Sequence, residues 1–489
     1  MHRRGMRSAA AVNSGQPGSK SGTGRGRGLP LLAALLALAP LGAAGGGDDF
    51  PDVVVTDLDS LLVFRGNGSG GFGPPERYFI RDGVEPWSVA MADLNGDGAP
   101  ELISANRFGP HVTVFFNDGQ GAFGAPKFIN TPDRPYDVDV GDVDGDRDQD
   151  LVITCNYAPG QVLIAFNDGQ GSFGEALALD PGGEVFNSTL VDLDGKDGLD
   201  VVVTQNATRS LAVYLNRGSR NFEFQGSVGA GNDPKAIHSG DFNGDGFADL
   251  VVANDTAGVI TIFLGNGSGG LALREVYPAG VQPRELVVVD LDSDGKQDLV
   301  VAGGRNANYV ARFIGVGDGT FRGPVDYTTG PRPNSVGAAD FDGDRKVDVA
   351  VANWSLDDPA EATLSVLYGD GEGDFSHKSD FVPPGGFRKI TALAVGQVDP
   401  PRVLFRRGDV SGEGRVNITD AILVLRYLFS AGEVACLDAS DVDDDGAITI
   451  TDPILLLAWL FQGGDALAQP FGEPGPDPTP DGLGCVNGI

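Results

Sequence analysis

For most of its length the chain alternates short apolar runs with polar, Gly-rich punctuation. Asp249-Leu-Val-Val-Ala, Asp298-Leu-Val-Val-Ala, Val112-Thr-Val-Phe-Phe and Val259-Ile-Thr-Ile-Phe are typical runs, each bounded by Gly, Asp, Asn or Pro. Runs this short, rich in β-branched residues, predict strands rather than helices. They recur with a fixed period. An acidic string, Asp-x-(Asp/Asn) with a further carboxylate at its ninth position, begins at Asp93, Asp142, Asp192, Asp241, Asp290 and Asp340, at spacings of 49 or 50. Each string is followed by two strands and a Gly-rich turn running to an aromatic, as in Asn117-Asp-Gly-Gln-Gly-Ala-Phe123. A weaker strand then ends before a proline (Pro135, Pro234, Pro283, Pro333), and a fourth strand such as Tyr136–Gly141 leads into the next string.

Four short strands at a period near 49 predict a propeller blade. Small residues (Ala92, Gly141, Gly240, Ala339) end the fourth strand and suit the crowded axis. Outer sets begin at Asp52, Glu101, Asp150, Asp200, Asp249, Asp298 and Asp348, which predicts seven blades. The first set lacks an inner strand and the last inner strand, Ile390–Val395, lacks an outer set. The two are expected to meet and close the ring, leaving only Asp48, Asp49 and Asp399 as remnants of a seventh acidic loop. The expected fold is therefore an all-β seven-bladed β-propeller over residues 45–400, with a small α-helical domain behind it.

The pattern changes after Pro400-Pro401, with 401–407 read as a linker. Two 12-residue loops, Asp409–Asp420 and Asp441–Asp452, each carry Gly at the sixth position and Asp at the twelfth and run straight into an apolar stretch. That is the logic of an EF-hand loop with Asp in place of the final Glu. Pro453 falls in the first turn of its helix, where proline is tolerated. This second module spans 408–463. Its helices carry more apolar residues (Ile422, Leu425, Tyr427, Leu428, Ile454, Leu457, Trp459, Leu460) than so small a unit buries alone. A partner, the propeller or a second copy is expected to cover them. Residues 464–489 form a Pro-rich tail.

At the other end, residues 1–47 hold six basic residues and no acidic one, then Leu29–Ala39 is apolar and Gly42-Ala43-Ala44 is small. This reads as a signal peptide over 1–44, so the chain is expected to be secreted, extracellular or at the cell surface. Elsewhere the sequence has no run of transmembrane length.

Charge changes the picture next. The 489 residues include 35 Lys+Arg and 68 Asp+Glu, a net charge of −33, which excludes nucleic acid as the default partner. The acids are concentrated: 31 of the 68 lie in the eight loops just described. Carboxylates at positions 1, 3 and 5 of a Gly-containing loop can converge, with position 9 closing the shell, and oxygen-only donors suit Ca2+ before Mg2+. The candidate sets are Asp93, Asn95, Asp97, Glu101; Asp142, Asp144, Asp146, Asp150; Asp241, Asn243, Asp245, Asp249; Asp290, Asp292, Asp294, Asp298; and Asp340, Asp342, Asp344, Asp348. In the remaining loop Asp192, Asp194 and Asp200 are joined by Lys196 at position 5, which removes a ligand and adds a repelling charge. About eight calcium sites are expected, that one being doubtful.

The acidic loops, the turn and the period together resemble the FG-GAP/VCBS repeats of integrin-alpha-like propellers, over about residues 50–400. Ala122-Phe-Gly-Ala-Pro126 matches the signature literally, Gly71-Phe-Gly-Pro74 and Ser172-Phe-Gly-Glu-Ala176 nearly so, while Asn221-Phe-Glu and Gly270-Leu-Ala depart from it. Residues 408–463 resemble type I dockerins. That resemblance implies a first site of Asp409, Ser411, Glu413, Asn417 and Asp420 and a second of Asp441, Asp443, Asp445, Thr449 and Asp452. It also implies a cohesin-like partner read by Ile418, Thr419, Ile450 and Thr451. Ser411, Glu413 and Thr449 depart from the usual Asn/Asp.

The face opposite the acidic loops collects Trp87, Arg107, Arg134, Tyr136, Tyr157, Arg284, Arg305, Tyr309, Arg332 and Trp354. Aromatic and Arg residues are the usual anchors of recognition surfaces, so this face is the expected binding surface for an extracellular protein or glycan, with Trp87, Arg134, Tyr136, Tyr157, Arg284, Arg332 and Trp354 as its core. The competing reading is that Trp87 and Tyr136 wedge between blades. No nucleophile elbow, metal-hydrolase or phosphate loop is present, and the paired carboxylates are committed to the calcium loops, so no catalytic residue is assigned. The expectation is a non-enzyme; the alternative is a component of a polysaccharide-degrading assembly, an O-glycosyl hydrolase included. Cys436 and Cys485 are expected to form a disulfide clasping the tail, and Cys155 to be a small buried residue.

Overall fold

The computed structural model describes residues 50–119, 121–132, 134–157, 159–280, 282–355, 361–398, 407–411, 416–430, 437–443, 447–462 and 467. The expected signal peptide, most of the 401–407 linker, the Pro-rich tail apart from Leu467, Asp48, Asp49, Asp399, Glu413, Asp445, Cys436 and Cys485 lie outside them.

Seven four-stranded antiparallel sheets follow one another, as the period predicts. Blades 2 to 7 start from the inner strands Pro86–Ala92, Pro135–Gly141, Val185–Val191, Pro234–Gly240, Leu286–Val289 and Pro333–Ala339. Each is paired with a second strand (Glu101–Asn106, Asp150–Cys155, Asp200–Gln205, Asp249–Asn254, Asp298–Ala302, Asp348–Asn353) whose residues are all buried. Blade 1 is made from both ends of the propeller. Asp52–Asp57 pairs with the closing strand Leu393–Gly396, in the register Val53↔Val395, Val54↔Ala394, Val55↔Leu393. The ring is closed as the incomplete first and last sets require.

The core lies between blades, because each sheet is apolar on both faces. Seven buried clusters each join two neighbouring sheets. Val54, Leu61 and Val63 of blade 1 meet Leu102 and Phe115 of blade 2, for example. The aromatic of the Gly-rich turn wedges into such a junction: the Phe72 ring lies 5.0 Å from Phe381 and 5.8 Å from Phe341, both of blade 7. The outer strands, such as Phe222–Gly229 and Leu271–Pro278, are largely exposed. Cys155 is buried at the end of its strand.

In the C-terminal module α1 (Ile418–Ser430) and α3 (Thr451–Gln462) are joined through a short α2 (Leu437–Ser440) that the sequence pattern did not suggest. Ala421, Val442, Leu456 and Leu467 form its core. Of the apolar helix residues flagged above, Ile422, Tyr427 and Ile454 are exposed, together with Phe429, Leu455 and Phe461. Leu425, Leu428, Leu457, Trp459 and Leu460 are half-buried.

Candidate metal loops and the opposite face

The acidic loops share one construction. The residues at positions 4 and 6 have positive φ (Gly96 and Gly98, Gly145 and Arg147, Gly244 and Gly246, Ser293 and Gly295, Gly343 and Arg345), which folds the loop over its first Asp. In the Asp241 loop that carboxylate accepts the amide N–H groups of Gly244 (2.7 Å) and Gly246 (2.9 Å). Asn243 accepts from Asp245 (2.8 Å) and Asp245 from Phe247 (2.9 Å). Positions 1, 3 and 5 thus each accept an amide of the loop. In the loops of Asp142, Asp290 and Asp340 one oxygen from each of these three residues lies within 4.8 Å of the other two.

Position 9 has another task. Asp249 is fully buried and accepts the amide of Phe242 at position 2 (3.0 Å) and that of Gly265 at the end of the third strand (2.8 Å). The same pair of bonds recurs at Asp150, Asp200, Asp298 and Asp348. Burial pushes their carboxyls up, to about 6 for Asp150, Asp200, Asp249 and Asp298 and about 7 for Asp348. Glu101 is likewise pushed up to about 7. The position-9 residue therefore staples the loop to the strands, and in the loops of Asp142, Asp290 and Asp340 it stands outside the converging trio. Blade 1 keeps this staple without a described acidic loop: Asp52 accepts from Gly66 (2.9 Å) and Val398 (2.9 Å) across the ring closure.

The oxygen-only donor sets fit a hard divalent cation, since like charges this close need a counter-charge. The Asp192 loop fits less well. Asp192, Asp194 and Asp200 do converge, but Arg217 (2.7 Å) and Lys196 (3.6 Å) both pair with Asp194 Oδ2. In the C-terminal module Asp441, Asp443 and Asp452 converge. Asp452 accepts from Val442 and Thr449 (both 2.7 Å), and Asp420 accepts from Ser411 (2.9 Å) and Asn417 (2.8 Å). Asp409 is buried beside Ser411, whose hydroxyl donates to it (3.3 Å).

On the opposite face the inner strands bring together residues far apart in sequence. The Trp87 and Tyr136 rings lie 5.7 Å apart, and Tyr136 meets Phe186 edge-on at 5.0 Å. Lys235 Nζ sits 3.2 Å from the Phe186 centroid, and the Arg107 guanidinium 4.4 Å from Trp87. Lys389 lies between Trp87 (5.5 Å) and Trp354 (5.4 Å). These contacts run in one row from blade 7 through blade 1 to blade 5. Trp87 is half-buried, Tyr157 is exposed beneath Arg134 (5.2 Å), and Trp354 packs partly on the blade 7 core. Tyr136 is only 7% exposed, and Arg284 is half-buried in an ion pair with Asp255 (3.1 Å). Tyr136, set at a bulge in its inner strand, supports Trp87 and Phe186 within the row rather than facing a ligand, and Arg284 is engaged by Asp255. Arg332 is half-buried in the loop before the blade 7 inner strand.

Sequence reasoning missed Phe186, Lys235 and Lys389 of this row. The signal was positional: Trp87, Tyr136, Phe186 and Lys235 each stand five residues before the end of an inner strand. It also missed the polar groups beneath them. Ser188 donates its amide to Asp137 (3.1 Å) and its hydroxyl to Asp139 (2.6 Å), and His238 Nε2 lies 2.8 Å from Glu285.

The comparisons with known proteins agree with this architecture. The FG-GAP-like repeat family matches residues 47–104, 93–153, 192–252, 241–301 and 290–351, together more than half of the chain. The dockerin type I domain matches residues 407–458. No curated protein matches the chain. Among solved structures, an Agrocybe aegerita lectin described as recognising non-reducing terminal N-acetylglucosamine is 19% identical, over 73% of this chain and 97% of that one, with a TM-score of 0.51. The Pseudomonas aeruginosa periplasmic gluconolactonase is 17% identical over 72% of this chain and all of that one, with a TM-score of 0.53. A putative 6-phosphogluconolactonase from Bacteroides fragilis is 16% identical with the same coverage and TM-score. At these identities the likeness is one of fold. The chain belongs to the FG-GAP-like repeat family, as a seven-bladed propeller followed by a dockerin type I domain.

Proposed function

We propose that the chain is a secreted, calcium-stabilised binding or adhesion module, tethered through its dockerin domain to a cohesin-like partner. The observation that carries the binding reading is the row of aromatic rings and cations on the face away from the acidic loops, from Trp354 through Lys389, Trp87, Tyr136 and Phe186 to Lys235. The half-buried Trp87, Phe186 and Trp354 rings, with Arg107 and Lys389 beside them, present flat apolar surface and hydrogen-bond donors together, as protein and glycan ligands require. Trp87, Trp354, Tyr157 and Arg107 are the residues we assign to contact. The dockerin match supports attachment, and the exposed Ile422, Ile454, Phe429 and Phe461 supply an uncovered apolar surface beside its loops.

The second reading, a component that degrades polysaccharide, draws on the carboxylates Asp137, Asp139 and Glu285 beneath the row. A glycan array run beside a glycosidase panel separates the two: turnover of any glycan would overturn the non-enzyme reading. For the binding face, Trp87→Ala and Trp354→Ala should abolish retention of whichever ligand the array or a pull-down identifies. Undiminished binding by both variants would remove the proposal. Attachment is tested by a pull-down in calcium that compares the full chain with one ending at residue 402.

A further inference from the structure

The Gly-rich turn of blade 4 departs from the other six most plainly at its fourth position. Counting from the residue whose amide closes the turn, the fourth position is Gly70, Gly121, Gly171, Gly269, Gly319 or Gly373, each with φ between +70° and +87°. In blade 4 the equivalent residue is Arg220, held at φ +61° behind Ser219 at φ +54°. A side chain is disfavoured there twice over. The backbone is left-handed, and a Cβ on Gly171, Gly269 or Gly319 would run into Phe116, Leu215 or Leu264 of the preceding blade. Arg220 avoids this collision by laying its guanidinium over the corresponding ring, Phe166, 4.2 Å from its centroid. From there it reaches the acidic loop of blade 3. Its Nε and Nη2 both lie 2.7 Å from Asp144 Oδ2, and Nη2 lies 4.0 Å from Asp146.

The same turn sends a second arginine into its own blade's loop. Arg217 Nη1 lies 2.7 Å from Asp194 Oδ2, and its Nε 2.8 Å from Glu223, which fixes the guanidinium from both ends. Lys196, at the position where the other loops carry a ligand, adds a second cation to Asp194. Asp194 is 5% exposed, and its other oxygen, Oδ1, is buried without a hydrogen-bond donor.

We propose that the blade 4 turn supplies guanidinium groups in place of a metal ion. Arg217, with Lys196, occupies the Asp192 loop and keeps a divalent cation out. Arg220 competes with the cation for Asp144 in the Asp142 loop, so that this loop binds more weakly than its neighbours. The proposal rests on the calcium reading above, and its consequence is that the junction of blades 3 and 4 relies less on metal for its charge balance than the other junctions do.

Native mass spectrometry of the full chain in calcium tests it by counting bound ions. Lys196→Gly/Arg217→Ala should bind one ion more than the wild type, because Asp194 Oδ1 and Oδ2 would then face Asp192 and Asp200 without a cation. Equal counts for the two proteins would overturn the proposal, whether the loop is filled in both or empty in both. The absolute wild-type count tests the calcium reading separately. Arg220→Gly restores the residue that the six other blades carry, so its folding is not at stake. Calorimetric titration of that variant should show one site tightened at least tenfold, and an unchanged isotherm would overturn the second half.

Discussion

Beside the strand pairing and the Asp52 staple, one buried carboxylate, Asp57, gathers several bonds across the ring closure, and its removal is a sharp test of that closure. Asp57 ends the first strand and is fully buried. One oxygen accepts the amides of Arg388 and Lys389 (both 2.7 Å), and the other accepts Arg77 Nη1 (2.6 Å) and Arg388 Nε (3.2 Å). Arg388 also grips Asp59, and Lys389 is the cation set between Trp87 and Trp354. Asp57→Ala leaves two amides and two guanidinium groups without their acceptor. Breaking a buried ion pair costs about 3–5 kcal/mol, and the lower end applies because Arg77 and Arg388 are 38% and 42% exposed and can rehydrate. We therefore expect about 3 kcal/mol, read as a fall in the urea midpoint in excess calcium at unchanged slope. Amide exchange should quicken in Asp52–Asp57 and Leu393–Gly396 before it does in Asp249–Asn254. Burial alone would raise the Asp57 carboxyl; the Arg77 hydrogen bond and the two amides outweigh it and hold it below the usual value. A depressed carboxyl contributes stability that is present above about pH 4 and lost as pH falls through the folded value. The gap between wild type and variant should therefore close in acid. A loss under about 1 kcal/mol near neutrality, or unchanged protection of Leu393–Gly396, would refute the account.

Three further outcomes are expected. Chelation should lower the melting temperature of the wild type, since a site at 100 times its Kd adds about 2.7 kcal/mol; superimposable melts with and without chelator would exclude structural calcium. Burial pushes Asp137 up to about 6, in a group faced by Asp139, Glu285, His238, Ser88 and Ser188. A carboxyl raised on folding makes stability fall as pH rises between about 4 and 6, so Asp137→Asn should show a shallower decline over that window than the wild type, and equal slopes would count against the buried cluster. Gly171→Ala places a Cβ 2.3 Å from the Phe116 ring at φ +70°, whereas Gly174→Ala in the same turn meets nothing within 4 Å. The first should cost about 1–3 kcal/mol and the second little, and equal melting temperatures would refute the packing of the turn on the preceding blade.

The blade number, the strand starts and the closure were legible because each depends on local periodicity: an acidic string, a Gly-rich turn and a buried run recur every 49 or 50 residues. The converging oxygens of positions 1, 3 and 5 were legible for the same reason, since one short loop supplies them all. What sequence could not show is assembled across blades. Asn167 donates to Leu94 of the preceding loop, and Asn216 to Val143, each at 2.7 Å over a separation of 73 residues. The row of aromatic rings and cations likewise draws on blades 7, 1, 2, 3, 4 and 5. For Tyr136 the sequence left both a contact role on that face and a wedge between blades open; a bulge turns it into the junction. The role of Asp52 was hidden because its partner Val398 lies 346 residues away.

The structure also alters what a cation is needed for. Backbone amides already engage both oxygens of the position-9 carboxylate and of the first Asp. What remains is charge, and the loops answer it in two ways. In the loops of Asp93 and Asp241 position 3 is Asn95 or Asn243, and among the described residues no lysine or arginine pairs with them. In the four loops with Asp at position 3 a basic group is always at hand: Arg220 on Asp144, Arg217 on Asp194, Lys296 on Asp294 (2.5 Å) and Lys346 on Asp344 (2.7 Å). Lys296 and Lys346 are 42% exposed on flexible stems and belong to the loop they serve, so they can give way to a divalent ion. The arginines enter from a separate turn, one clamped by Glu223 and one laid on Phe166, and yielding would break those contacts as well. Affinity for calcium should therefore be graded around the ring, strongest where no fixed cation competes and weakest at blades 3 and 4.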